Sequence, residues 1–575
     1  MPESLLRYAR RMSRGENSTL TIEVPGIDDA EDLLQRDLSD ARWPALLRLA
    51  LVISAALLFG ALACAVLATP DWSFNGTRLV PSFLLASGHR VLELPGHGPL
   101  YSTHYGPLTY VVYLPATLFD TPNAAVLAGS TITVLLCLLA VAWLHFGGER
   151  WRSDFWPALL GFTAAGYLIC YLEPLRYSCV NIHADGPGIA FGGAACAILR
   201  RRDASTRPSA MIASAALAVM AALCKQPLAL LAFGLLAYLY LAYGRKTAIL
   251  YLKALCVAGL ILGSLFIWAF GPRELYYHVS MATRHPWRIA GAAAIVQPVR
   301  TFVRHMFPVL LVATVAVVTS LDRRLWKTGG RRWMQANDWI MLFVVGVALL
   351  PSSVSGFAMI GADVNSLSFS SFFFTVGVTC ALADLASRHS YREVRQLARR
   401  CLLAVALLLM IIELPVALPG RVASLKTAEQ QVVFDYIRNH ERMTFFPWFP
   451  LSHLLAEGRF YHWTYGIVDR VLAGDQISPD YFRAYAPAGM NRIAFGKDGA
   501  REILGIDLLS FWGSRNICAV ADPALESWEV YRSSPNACDV VTSADARRAV
   551  RPREQERSSR IPPANTDSAA APLVE

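Results

Sequence analysis

Residues 44–72 read PALLRLALVISAALLFGALACAVLATPDW. The run holds one charge, Arg48, before it closes on Thr69-Pro70-Asp71-Trp72. A helix needs about 20 apolar residues to cross a bilayer, so this run is long enough. The 43 residues before it are polar and mixed in charge. A secretory signal would place its apolar core nearer the start and end it at a small-residue cleavage site. The run is therefore expected to be an uncleaved span, with residues 1–43 as a cytoplasmic N-terminal segment.

The rest of the chain repeats the pattern. Of its 575 residues, 54% are hydrophobic and only 17% are charged, and the mean hydropathy is +0.38. Soluble domains carry roughly 25% charge. Apolar runs near 44–69, 123–146, 155–172, 187–199, 209–224, 227–243, 247–270, 306–321, 338–351, 367–386 and 401–418 predict an α-helical polytopic membrane protein of about eleven spans. Several runs are short, which suggests tilted or re-entrant pieces beside a cavity.

The net charge is +10, from 53 basic and 43 acidic residues. Its distribution reports topology and not a nucleic-acid partner. The loops 147–154, 200–208, 244–246, 322–337 and 387–400 hold 18 Lys and Arg in 50 residues. The alternate loops, 70–122, 173–186, 225–226, 271–305 and 352–366, hold nine in 119. The positive-inside rule puts the first set in the cytoplasm. Residues 419–545, polar and rich in aromatics, then form a small α/β domain outside it. Met443-Thr444-Phe445-Phe446 reads as a strand and Leu451 to Glu457 as a helix. Residues 546–575, poor in large apolar side chains, read as a disordered tail. Alanine- and arginine-rich usage reads as bacterial, so the expected site is the cell inner membrane.

This orientation gathers the polar residues at the span ends onto the outer side. Asp71, Asp185, the pair Lys225-Gln226, and Asp363 with Asn365 all fall there. A charge at membrane depth costs roughly 2.5–3.5 kcal/mol on insertion scales, so such groups usually pair or serve a site. Lys225 stands out, with apolar sequence on both sides. His183 and Asp185, two apart, could share a divalent cation or form a hydrogen-bonded loop pair. The long first outer loop, 70–122, carries Ala86-Ser87-Gly88-His89 and Tyr105-Gly106-Pro107-Leu108, and its piece 107–119 suits an interfacial helix. No CxxC, HExxH or Walker A pattern occurs.

A span ending at once in Asp71, a long loop with the A-S-G-H segment, a YGPL start to the next apolar piece, Asp185 ahead of a short span, and Lys225-Gln226 together resemble the GT-C membrane glycosyltransferases. The resemblance covers roughly 44–418. That family includes the protein O-mannosyltransferases and the lipid A aminoarabinose transferases. The resemblance implies a polyprenyl-phosphate-linked sugar donor and chemistry on the extracytoplasmic side. Family members often carry two acids after the first span; here Trp72 follows Asp71, which departs from a strict metal requirement. Such a transfer needs a carboxylate to take the acceptor's proton, and Asp71 is placed for it. It also needs positive charge for the departing phosphate, from Lys225, Arg176 or Arg273. A single displacement inverts the anomeric carbon. The acceptor would be a glycan, lipid or protein. A secondary transporter or a non-catalytic envelope-assembly protein are the rival readings. Finally, Cys518 and Cys538 would lie in an oxidising compartment, where a disulfide is expected and two separate thiols are the alternative.

Overall fold

The structure is a computed structural model. It describes residues 45–94, 96–101, 105–147, 155–200, 207–281, 284–289, 291–321, 329–360, 363–387, 396, 428–440, 442–496, 501–512, 517–525 and 528–533. The chain divides into two units, Met1–Val52 and Ile53–Glu575. The site and the sheet both belong to the second.

The apolar runs become helices: α1 (Ala45–Leu67), α2 (Ser73–Ala86), α3 (Pro122–Phe146), α4 (Phe155–Tyr171), α5 (Glu173–Val180), α6 (Asp185–Leu199), α7 (Pro208–Cys224), α8 (Leu230–Tyr243), α9 (Arg245–Phe270), α10 (Pro272–Met281), α11 (Ala293–Ser320), α12 (Ile340–Ala358) and α13 (Ser368–Ser387). Among the described residues seven helices are long and apolar enough to cross a bilayer, or eight if α4 and α5, bent by 95°, form one span. Two of the expected spans, α6 and α7, are shorter apolar helices. The eleventh expected run, 401–418, lies outside the described residues. This is a multi-pass membrane protein, with α13 almost wholly buried among its neighbours.

Proline sets several boundaries. Lys225 is extended (φ −150°, ψ 122°) between α7 and the 3-10 turn Gln226–Ala229. Pro227 has no N–H to continue the helix, so the chain breaks beside the lysine. Pro351 behaves differently. It lies inside α12, which continues to Ala358, past the predicted end at 351. There the buried Ser353 hydroxyl bonds Ser370 of α13 at 3.2 Å.

The C-terminal region is a small α/β unit. Helices α14 (Glu429–Asn439), α15 (Pro450–Glu457) and α16 (Thr464–Leu472) accompany a four-stranded sheet. Its strands are β1 (Thr444–Phe445), β2 (Arg492–Phe495), β5 (Ile517–Val520) and β6 (Glu529–Ser533), in the order β1-β2-β6-β5, where β3 and β4 are the arms of a separate hairpin, 502–507. β1 runs parallel to β2, and the other pairs are antiparallel. Val433, Ile437, Phe445, Phe446, Ile493 and Phe495 fill its core, and Leu100 of the 70–122 loop packs into the same cluster. The Leu100 N–H donates to His462 Nδ1 at 2.8 Å, and His462 Nε2 faces the Phe482 carbonyl at 2.8 Å. Phe74 of α2 packs on the same core, so the 70–122 loop and the tail share apolar surface.

Candidate functional site

Asp185 opens α6, and its side chain is fully buried. A carboxylate there requires donors, and four converge on it. Lys225 Nζ lies 2.5 Å from Oδ1. His183 Nδ1 lies 2.8 Å from Oδ2, which also accepts from Asn365 Nδ2 at 3.0 Å and Ser178 Oγ at 3.2 Å. Three stretches distant in sequence therefore meet at one carboxylate: the end of α5 with the loop before α6, the break after α7, and the 3-10 turn Val364–Leu367 just before α13.

The 70–122 loop closes over this group. Gly106 donates its N–H to the Cys224 carbonyl at 2.9 Å. A Cβ at Gly106 would overlap the Leu223 carbonyl, so only glycine brings the loop this close to the break. Thr109 Oγ1 holds the same Cys224 carbonyl at 3.1 Å. Tyr105 is thereby set beside the lysine, with Nζ 5.4 Å from its ring centroid. The Phe369 ring lies 5.2 Å from the ammonium. The Tyr105 hydroxyl meets His183 Nε2 at 2.9 Å. With Nδ1–H directed at Asp185, the network assigns Nε2 as the acceptor. Tyr113 donates to the His183 carbonyl at 3.0 Å and lies 2.8 Å from Thr133.

Arg78, on α2, supplies a second cation. Its guanidinium lies 4.8 Å from the Trp72 ring, 5.4 Å from Phe74 and 5.8 Å from Tyr177. It donates to the Ile182 carbonyl at 3.2 Å and to the Tyr177 hydroxyl at 3.3 Å. Burial pushes the His183 pKa down to about 3; Asp185 opposes that, and the nearby Arg78 and Lys225 charges reinforce it. The imidazole is therefore neutral at ordinary pH. The Tyr105 phenol is raised, chiefly by burial and further by the carboxylates of Asp185 and of Asp469 from the tail.

Asp71 ends the 3-10 turn Thr69–Asp71 that follows α1, and it is exposed. The two carbonyls before it are held by buried amides. Asn75 Nδ2 donates to the Thr69 carbonyl at 2.9 Å, and Gln430 Nε2 donates to the Pro70 carbonyl at 3.0 Å. Asn75 also bonds Asn181 at 3.0 Å and accepts from the Ile182 N–H at 2.9 Å. The turn is thus tied to the loop that carries His183.

Of the residues expected from sequence, Lys225, Asp185 and His183 come together, and Asn365 joins them. Gln226 begins the 3-10 turn next to the lysine. Arg176 on α5 and Arg273 on α10 are exposed, and their side chains make no hydrogen bond or ion pair among the described residues. Arg78, Tyr105, Tyr177 and Asn75 join the site without having been singled out for it. Cys518 is disulfide-bonded; Cys538 lies outside the described residues.

A cation shared by His183 and Asp185 does not fit this arrangement. Both ring nitrogens and both carboxylate oxygens already face protein groups, and the Lys225 ammonium stands against Oδ1. Among the described residues no three His, Cys, Asp or Glu side chains converge as a metal site.

No family model matches the chain, and no curated protein matches it. Two crystal structures of ArnT from Cupriavidus metallidurans align with it. The apo state gives a TM-score of 0.48 at 13% identity, over 80% of this chain and 93% of that one. The form bound to undecaprenyl phosphate gives 0.48 at 12% identity, over 85% and 98%. At that overlap they assign no chemistry to this chain.

Proposed function

We propose that the chain is a membrane glycosyltransferase. It moves a sugar from a polyprenyl-phosphate donor to a glycan, lipid or protein acceptor, with inversion, at the extracytoplasmic face of a bacterial inner membrane. One observation carries the reading: two cations from separate segments, Arg78 and Lys225, flank the buried His183–Asp185 pair at the helix ends where Asp71 also stands. A departing phosphate is stabilised best by positive charge already fixed in place. Lys225 is anchored by Asp185, and Arg78 by Tyr177 and the Ile182 carbonyl. A guanidinium has five N–H donors and an ammonium three, so each cation keeps donors for a ligand. Asp71, exposed at the mouth, takes the proton from the acceptor hydroxyl. The displacement forms one carbon–oxygen bond to the acceptor and breaks the one to the phosphate, which leaves as polyprenyl phosphate.

The test is reconstitution. Liposomes containing the purified protein and lipid-linked sugars extracted from the parent membrane should release polyprenyl phosphate when an envelope acceptor fraction is added. A strain lacking the protein should lose a sugar from one envelope component. An unchanged envelope glycan profile, together with solute movement in the same liposomes, would establish a carrier instead.

A further inference from the structure

We infer that the C-terminal unit is part of the catalytic centre, and that Gln430 is the positioning residue through which it sets the turn carrying Asp71. The inference rests on the reading of Asp71 as the base.

Gln430 is the second residue of α14, the first described helix of the tail, and it is 2% exposed. Its side-chain amide donates to the Pro70 carbonyl, one residue before Asp71. Its own backbone carbonyl accepts from Ser452 Oγ of α15 at 2.8 Å, so the amide is fixed from behind. Among the described residues its Oε1 is buried without a hydrogen-bond partner. A buried, unsatisfied acceptor costs roughly 1–3 kcal/mol. Packing alone would favour leucine or methionine there, so the amide is best explained by its other half, the hydrogen bond to Pro70.

The surroundings are shaped to admit this amide. Gly76 faces it: a Cβ there would lie 2.6 Å from Gln430 Oε1 and 3.6 Å from Leu451 Cδ2. Thr77, next in the chain, reaches the Trp448 carbonyl of the tail at 3.4 Å. On its other side the turn is held by Asn75, whose amide bonds Thr69, Asn181 and Ile182. Two buried amides therefore grip consecutive carbonyls, one from the tail and one from the helix that follows the turn. A turn that shifts carries its carboxylate with it, and a displacement of about 1 Å is enough to cost on the order of a hundredfold in rate.

The experiment compares wild type with Gln430→Met, which fills the volume without a donor, and with Gly76→Ala, which displaces the amide and leaves its chemistry intact. Hydrogen exchange in the peptide covering residues 68–75 should quicken at least about fivefold in both variants, with the α14 peptide unchanged. Turnover of lipid-linked sugar extracted from the parent membrane should fall about tenfold, with the donor KM within twofold. In an Asp71→Asn background Gln430→Met should cost nothing further, because both act through one group. Unchanged exchange at 68–75, turnover within twofold in both variants, or an equal further loss in the Asp71→Asn background would each overturn the positioning role. Normal turnover by Asp71→Asn alone would instead remove Asp71 as the base, and the exchange result would still decide whether Gln430 holds the turn.

Discussion

Asp185 shows what a charge inside a membrane protein requires. Its carboxylate has four side-chain partners and no exposed surface. Breaking a buried pair strands the remaining charge and costs about 3–5 kcal/mol, whereas removing both charges costs far less. Lys225→Met should therefore lower the melting temperature of the detergent-solubilised protein sharply. Adding Asp185→Asn to that variant should recover most of the loss while leaving transfer impaired. A double variant no more stable than Lys225→Met would mean that the pair is not the dominant interaction. His183 has both nitrogens occupied, so thorough chelation should leave turnover within twofold; loss restored by a divalent cation would contradict the geometry. Asp71 presents the opposite case, an exposed carboxylate on a held turn. Losing a general base typically costs 10²–10⁴-fold. Asp71→Asn should fold, bind the proposed polyprenyl-phosphate-linked sugar like wild type, and turn over at least about a hundredfold more slowly. Wild-type turnover in the same assay would leave the site without an assigned base.

Helices were legible wherever apolar residues ran on unbroken. All ten expected spans within the described residues correspond to helices, because hydropathy alone fixes where a chain can lie in lipid. Ends were less legible where proline and serine interrupt a run, as at Pro351, since a neighbour's hydroxyl can satisfy the local polar groups. Helix α2 gave no signal: it contains Pro81 and buries Ser73, Asn75, Thr77 and Ser82, so its composition resembles a loop. The strand at Thr444–Phe445 and the helix Pro450–Glu457 could be read from their patterns. Within the site, Lys225, Asp185 and His183 were visible because charge among apolar residues is rare. Arg78 and Gln430 were not, because their partners lie 99 to 360 residues away and such pairing has no local signature. His462 gives the element-scale prediction. Its Nδ1 accepts an N–H, so a proton there would face a donor, and burial lowers its pKa to about 4. His278, similarly buried, is also lowered to about 4. The unfolded chain takes up these protons below about pH 6.5, whereas the folded chain resists until about 4. Stability should thus be unaffected above pH 6.5 and fall between 6.5 and 4, by up to about 1.4 kcal/mol per pH unit for each such histidine. His462→Gln supplies an acceptor and a donor without titrating. The drop in melting temperature between pH 7 and pH 5 should shrink in this variant; an equal drop would show that His462 does not contribute.

Across the whole molecule, the polar contacts sort the helix ends into two groups. The starts of α6 and α13 and the end of α7 meet at Asp185, Asn365 and Lys225. The opposite ends also converge. Arg200, just past α6, pairs with Asp338 ahead of α12 at 3.0 Å and donates to the Leu144 carbonyl near the end of α3. Its guanidinium also lies 3.0 Å from Cys380 Sγ in α13. Residues on opposite sides of one bilayer cannot exchange such contacts, so the alternation inferred from the loops agrees with the packing. The packing does not say which group faces the cytoplasm; that assignment comes from the 18 basic residues in 50 against nine in 119. Lys and Arg are retained on the cytoplasmic side during insertion, and short loops obey this most strictly. The Arg200 side is the basic one, so it should be cytoplasmic, and Asp71, Asp185 and Lys225 should face outward. A reporter fused after Gly330, in the loop between α11 and α12, should be active only in the cytoplasm. One fused after Gly420, beyond the last apolar run, should be active only outside. Both fusions on one side would mean that 338–418 crosses an even number of times. Both inverted would turn the cluster toward the cytoplasm, where nucleotide sugars are available and no lipid-linked donor would be needed.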